Sequence, residues 1–286
     1  MIRRIFLSTP LRNEIDNIPS LYRAVEAQNV QISIWIIVEN GSTDGSRELL
    51  RTLPKPVNVE RLVILNENTE SGEYALGQKY ARIVSRGFEE IRTMTTLASE
   101  DLIGILDADS FPDPGYYEQL TRAFDRHQRL GIASGISRDA GTQRRSMHAA
   151  DWVRGSCRLW RGACMLQSGY IIGPSADTLS LARAEIDGWI ASVVKEATFE
   201  AREVGERSKQ RYYGSSAYFR GNTLLYALVR FLKFASHGHL SDASDYLGGY
   251  WSALVGGTPR IDDPEIRAYF KSYLPRKIRR RIGLVK

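Results

Sequence analysis

Two short stretches carry residues arranged for chemistry. In LIGILDADSFPDP, from Leu102 to Pro114, an apolar run ends in Asp107-Ala108-Asp109. Side chains alternate along an extended chain, so the two carboxylates point to the same side. Two hard oxygen ligands from protein and two from a diphosphate suit Mn²⁺ or Mg²⁺, ions that keep positions open for phosphate and water. In that role the ion neutralises a leaving nucleoside diphosphate. The plainer reading is a polar strand end with a turn, helped by Pro112 and Pro114.

The second stretch is VENGSTDGS, from Val38 to Ser46, set between the apolar ISIWIIV and a helix-like RELL. Gly41 and Gly45 permit positive φ, and Asp44 or Ser42 can cap a helix beginning near Gly45. A capped turn accounts for those residues. It does not account for Glu39 and Asn40 at the strand end itself. A carboxylate there can accept the N3–H of uracil or thymine, or the N1–H and N2–H of guanine.

Elements that would position these residues follow from periodicity. RRIFLST, ISIWIIV, ERLVILN, DLIGILDADS and LGIASGI read as strands. NIPSLYRAVEAQ, SRELLRTL, EYALGQKYARIVSRGFEEI and GYYEQLTRAFDRH carry apolar residues at helical spacing. This alternation predicts an α/β fold with a mostly parallel sheet covered by helices. Ligands bind such sheets at the carboxyl ends of the strands, where ENGSTDGS and DADS both fall. From about residue 140 the pattern mixes. ADTLSLARAEIDGWIASVV, ATFEAREVGERSK, SSAYFRGNTLLYALVRFLKFAS, ASDYLGGYWSALVGG and PEIRAYFKSYLP all read as helical. The division expected is 1–210 for a nucleotide-binding domain and 211–286 for a helical region packed on it.

With 286 residues, 43% hydrophobic and 25% charged, the chain can bury a substantial core. Cys157 and Cys164 match neither a disulfide framework nor a zinc site and are read as free thiols in a reducing compartment. No apolar stretch approaches a membrane span, and the N-terminus lacks a secretory core. A soluble cytoplasmic protein is the expectation. The net charge of +6 is concentrated in PRKIRRRIGLVK. Such a tail suits anionic lipid or nucleic acid, or is simply solvated.

VENGSTDGS and LDADSFPDP resemble the two signature segments of the inverting family-2 glycosyltransferases with the GT-A (Rossmann-like) fold, and STPLRNEIDN resembles that family's opening strand and loop. The similarity runs over roughly residues 3 to 235 and extends, more loosely, to bacterial rhamnosyl- and hexosyltransferases of polysaccharide synthesis. It implies that Pro10, Arg12 and Glu14 line the nucleotide pocket, and that Glu39 takes the place of a base-contacting aspartate. By the same resemblance Asn40, Ser42, Asp44, Asp107, Ala108 and Asp109 hold the nucleotide-sugar, with Asp109 on the metal. SADTLSLARAEIDGW resembles the segment that supplies the general base, which places Asp177 in that role; Ala176 and Leu179 stand where the family has acidic residues. Lys79, Arg86, Arg211 and Arg220 are candidates for diphosphate or acceptor, or solvated helix ends. His237 or His239 is a candidate metal ligand, or a surface residue.

The function implied is transfer of a sugar from a nucleotide-sugar donor to a hydroxyl of a polysaccharide or lipid-linked saccharide acceptor. The basic tail would then place the protein peripherally at the inner face of the cell membrane. A sugar-nucleotide nucleotidyltransferase is the alternative enzyme, disfavoured because LSTPLRNEIDN lacks a glycine-rich loop. A catalytically silent family member is the other. A nucleic-acid partner is not expected, since carboxylates occupy the strand ends and no basic and aromatic residues interleave on one face.

Overall fold

The computed structural model describes residues 3–68, 77–139, 152–201 and 210–276. The chain forms two compact units, Met1–Glu203 and Val204–Lys286.

The first unit is built on an eight-stranded sheet in the order β3-β2-β1-β4-β7-β6-β8-β5. Strands β1 (Ile5–Leu11), β2 (Ile32–Asn40), β3 (Val59–Glu67) and β4 (Leu102–Leu106) are parallel. The helices between them are α1 (Ile18–Glu26), α2 (Ser46–Thr52) and α3 (Gln78–Met94), as the alternating pattern predicts. Short β-branched runs cannot bury both faces alone, so helices must cover the sheet on each side. In β2, Trp35 and Ile37 pack with Leu21 and Val25 of α1 and Leu50 of α2. Ile34, Ile36 and Val38 point the other way, onto Val84, Phe88 and Ile91 of α3.

Past β4 the sheet turns mixed. β5 (Ser110–Pro112), α4 (Tyr116–Arg126) and β6 (Leu130–Asp139) follow, and then β7 (Cys157–Arg161), which lies antiparallel between β4 and β6. After α5 (Gly162–Ser168) and α6 (Ala176–Ile186), β8 (Ile190–Ala201) runs parallel to β6 and antiparallel to β5. Here the reading of IASVV and ATFEA as helical is corrected. Their Ala, Glu and Lys content favours helix, but pairing with β6 and β5 outweighs so small a preference.

The second unit contains α7 (Gln210–Arg220), α8 (Leu224–Ser236), α9 (Leu240–Val255) and α10 (Pro264–Lys271). The single helix expected across SSAYFRGNTLLYALVRFLKFAS is two. Gly221 takes φ 95°, ending α7, and Thr223 caps α8 by accepting from the Tyr226 N–H. Ala217, Tyr246 and Tyr250 form the core of this unit. No helix among the described residues is long and apolar enough to cross a membrane. The basic tail beyond Arg276, His148 and all of EVGERSK lie outside the described residues.

Candidate active site

Register brings the carboxyl ends of β1, β2 and β4 together, with Leu11 beside Glu39 and Ser8 beside Ile105. The loops that follow β1 and β2 are laced to each other. Asn13, at φ 52°, donates its N–H to Ser42 Oγ at 2.9 Å and accepts from the Thr43 N–H at 2.8 Å. The Glu14 N–H reaches Ser46 Oγ at 3.0 Å, and the Ile15 N–H reaches Asp44 Oδ2 at 3.0 Å. Asp44 Oδ1 also accepts from the Ser46 N–H at 3.0 Å. Ser42 and Asp44 therefore fasten two loops. Gly41 and Gly45, at φ 65° and 91°, supply the left-handed turns between strand and helix.

Glu39 is fully buried. Its carboxylate accepts from the Ser42 N–H at 2.5 Å and from Arg47 Nε at 2.6 Å. A buried carboxylate requires such partners, and here one comes from the loop it precedes and the other from the first turn of α2. Glu39 faces Arg47 and is not among the residues that line the cleft described next.

An open cleft lies over these strand ends. Pro10, Arg12, Glu14, Asn40, Lys79, Asp107, Ala108 and Asp109 line it, all of them named from the sequence. Leu11, Tyr80 and Ile83 complete the wall. Tyr80 escaped the sequence reading although it follows Lys79 directly; only the packing of α3 shows its role. Its hydroxyl donates to Asp107 Oδ1 at 2.6 Å. Burial, followed by the charge of Asp109, pushes the Asp107 carboxyl up from the usual carboxylate range, while the Tyr80 hydrogen bond and the Arg158 charge pull the other way. Burial and the charge of Asp107 raise the Tyr80 phenol, which keeps it a donor.

Asp177 sits in the first turn of α6, two residues after the N-cap Ser175, a non-glycine residue held at φ 60°. Arg158 of β7, fully buried, approaches the Asp177 carboxylate at 3.4 Å and donates to its carbonyl at 3.3 Å. The guanidinium lies over the Trp160 ring at 5.3 Å. Gly155 borders the same carboxylate so closely that a Cβ there would fall 1.9 Å from Asp177 Oδ2. The charge of Asp177 acts on Asp107, Tyr80 and Tyr170, so the two aspartates share one electrostatic neighbourhood. Beside them Tyr170 Oη and Trp160 Nε1 are buried with no hydrogen-bond partner among the described residues. Neither Arg158 nor Gly155 belongs to a recognisable motif; three-dimensional packing alone identifies them.

The remaining candidates are placed elsewhere. Arg86 pairs with Glu67 and Glu90 at 3.0 Å each. Arg211 donates to Ser252 Oγ at 2.7 Å, and Arg220 lies over the Phe270 ring at 5.4 Å. His237 and His239 are exposed, with His237 Nδ1 2.7 Å from the Lys233 carbonyl. Cys157 and Cys164 are free and buried, and burial pushes both thiols up to about 12.

Among the described residues no cluster of three or more His, Cys, Asp and Glu side chains is arranged to hold a metal. Asp107 and Asp109 lie in a tight turn after β4, closed by the Ser110 N–H on the Asp107 carbonyl at 3.0 Å, and not on an extended strand as the sequence suggests. Both line the cleft and offer two hard oxygen donors, which fit Mn²⁺ or Mg²⁺ with substrate oxygens completing the shell.

No family model matches the chain, and no curated protein sequence matches it. Solved structures do. The crystal structure of S. aureus TarS superposes with a TM-score of 0.56 at 11% identity, over 87% of this chain and 44% of that one. The S. aureus TarS 1-349 complex with UDP-GlcNAc gives 0.53 at 12% identity, over 96% and 81%. The mannosyltransferase PcManGT from Pyrobaculum calidifontis, in complex with GDP-Man and Mn²⁺, gives 0.51 at 13% identity, over 100% and 82%. The match spans less than half the length of that TarS chain. At these identities the likeness shows the fold: a mixed α/β, Rossmann-like architecture of the kind found in glycosyltransferases.

Proposed function

We propose that the protein is a metal-dependent inverting glycosyltransferase that moves a sugar from a nucleoside-diphosphate donor to a hydroxyl of a polysaccharide or lipid-linked saccharide. The observation that carries this reading is one cleft at the carboxyl ends of β1, β2 and β4 that gathers Asp107 and Asp109 with Arg12 and Lys79. Structures of the same fold contain UDP-GlcNAc and GDP-Man, which directs attention to uridine and guanosine diphosphate sugars.

In this mechanism Arg12 and Lys79 attract the diphosphate into the cleft, and Asn40 and Glu14 meet the nucleoside. Asp107, positioned by Tyr80, and Asp109 would hold a divalent ion, whose charge offsets that developing on the leaving diphosphate. Asp177 takes the proton of the acceptor hydroxyl as its oxygen bonds to the anomeric carbon. The glycosyl–phosphate bond breaks, its electron pair leaves with the nucleoside diphosphate, and one displacement inverts the configuration. A lipid-linked acceptor would place this work at the inner face of the membrane.

A thermal-shift panel of UDP-, GDP- and dTDP-sugars with and without Mn²⁺ tests the donor, and hydrolysis or transfer assays test the chemistry. Stabilisation by one donor class that needs Mn²⁺ and disappears in Asp109→Ala is expected. Asp177→Asn should keep that stabilisation and lose turnover. If no donor is bound or turned over by the wild type, the enzyme reading falls.

A further inference from the structure

Helix α8 turns apolar residues to solvent. Ala227 is its buried residue, and Phe234 packs on Tyr246 with ring centroids 6.1 Å apart. Leu225, Leu228, Val229 and Leu232 recur at the spacing of a single helix face. They are 62%, 41%, 41% and 63% exposed. This is the pattern a helix ordinarily buries in a core. On α9, Trp251 and Val255, one turn apart, are exposed as well. Contiguous apolar exposure of this kind marks an interaction surface.

Charge selects the occupant. Residues 210–286 contain 13 Lys and Arg against 5 Asp and Glu, a net +8, so the rest of the chain is net −2 in a total of +6. Within α8 the charged residues are Arg230 and Lys233, both exposed. A second copy would bring the same positive region against itself, and like charges oppose that association. An anionic lipid surface has the complementary sign and an apolar interior within a side chain's reach, the combination that holds a helix in the interfacial plane.

We propose that the Leu225, Leu228, Val229 and Leu232 face of α8 docks on an anionic lipid bilayer, lying along its headgroup boundary with Lys233 among the phosphates, while Arg230 stays over the Phe234 and Tyr246 rings at 5.1 and 5.4 Å. This rests on the reading that the acceptor is membrane-borne, and names the surface that would bring the protein to it. Vesicle binding needs neither donor nor acceptor, so it can fail or succeed independently of glycosyl transfer.

Full-length wild type and the Leu225→Gln/Leu232→Gln variant would be co-sedimented with phosphatidylcholine vesicles with and without phosphatidylglycerol. Wild type should bind the phosphatidylglycerol vesicles, and the variant should partition about tenfold more weakly, from the apolar area withdrawn. Melting temperatures of the two should match, since both leucines are at the surface. The proposal is overturned if wild type ignores anionic vesicles, or if the variant binds as tightly as wild type. It is equally overturned if sedimentation velocity shows a wild-type dimer that the variant dissolves.

Discussion

The Arg158 side chain, with no exposed surface, reaches Asp177 Oδ1 at 3.4 Å, and the Asp177 side chain as a whole is 36% exposed. The same guanidinium group of Arg158 holds the Asp177 carbonyl at 3.3 Å. One buried side chain thus fixes both the backbone and the carboxylate at the start of α6. If Asp177 is the base, its placement decides the rate, and a misplacement of about 1 Å costs roughly 10²-fold. Arg158→Met should lower kcat by about that factor with little change in donor KM. Arg158→Lys should recover part of the loss. In an Asp177→Asn background the Arg158→Met change should add nothing further to kcat; steady-state kinetics of the four proteins checks this.

Gly155 gives an independent handle on the same carboxylate. A methyl group at this position meets Asp177 Oδ2 at 1.9 Å, so one of the two must move. Gly155→Ala should therefore reduce turnover while donor-induced thermal stabilisation persists, because the donor cleft is lined by other residues. A variant with wild-type kcat would mean that Asp177 need not hold its present position.

Glu39 and Arg47 should matter most for stability. The carboxylate is fully buried and its ion pair with Arg47 measures 2.6 Å. Removing one partner of a buried pair costs about 3 to 5 kcal/mol, because the other charge stays desolvated. Arg47 is 26% exposed, so the lower part of that range, about 3 kcal/mol, is expected for Arg47→Ala by chemical denaturation. Glu39→Gln combined with Arg47→Met should restore much of it.

Asp44 predicts a pH dependence. Burial pushes its carboxyl up, but hydrogen bonds from Ser46 and Ile15 outweigh this, and the group ends below its ordinary value. A depressed folded-state value contributes stability that is present above the ordinary carboxylate value and is lost as pH falls through the folded one. Asp44→Asn should cost on the order of 1 kcal/mol near neutrality. Thermal unfolding measured from neutral to acid pH should show that cost shrink as the wild type becomes protonated; a constant gap would contradict it.

The sequence by itself determined β1 to β4, the helices α1 to α4 and the position of Asp107 and Asp109 at a strand end. These rest on local periodicity, which a chain carries wherever it folds. The strand-end rule for parallel sheets then pointed to Asn40, Asp107 and Asp109, while Pro10, Arg12 and Glu14 followed from the family resemblance; the cleft is lined by all six. Tertiary structure decided the rest. The antiparallel β7 between β4 and β6 and the strand character of Ile190–Ala201 depend on partners that no local pattern names. Glu39 lies at the strand end the sequence indicates, yet its orientation towards Arg47 follows from where the first turn of α2 is placed. Tyr80 beside Asp107, and Arg158 and Gly155 beside Asp177, meet only once strand register and helix placement are set. A carboxylate's position is written locally; its neighbours, and therefore its charge state and aim, are written by packing across distant parts of the chain.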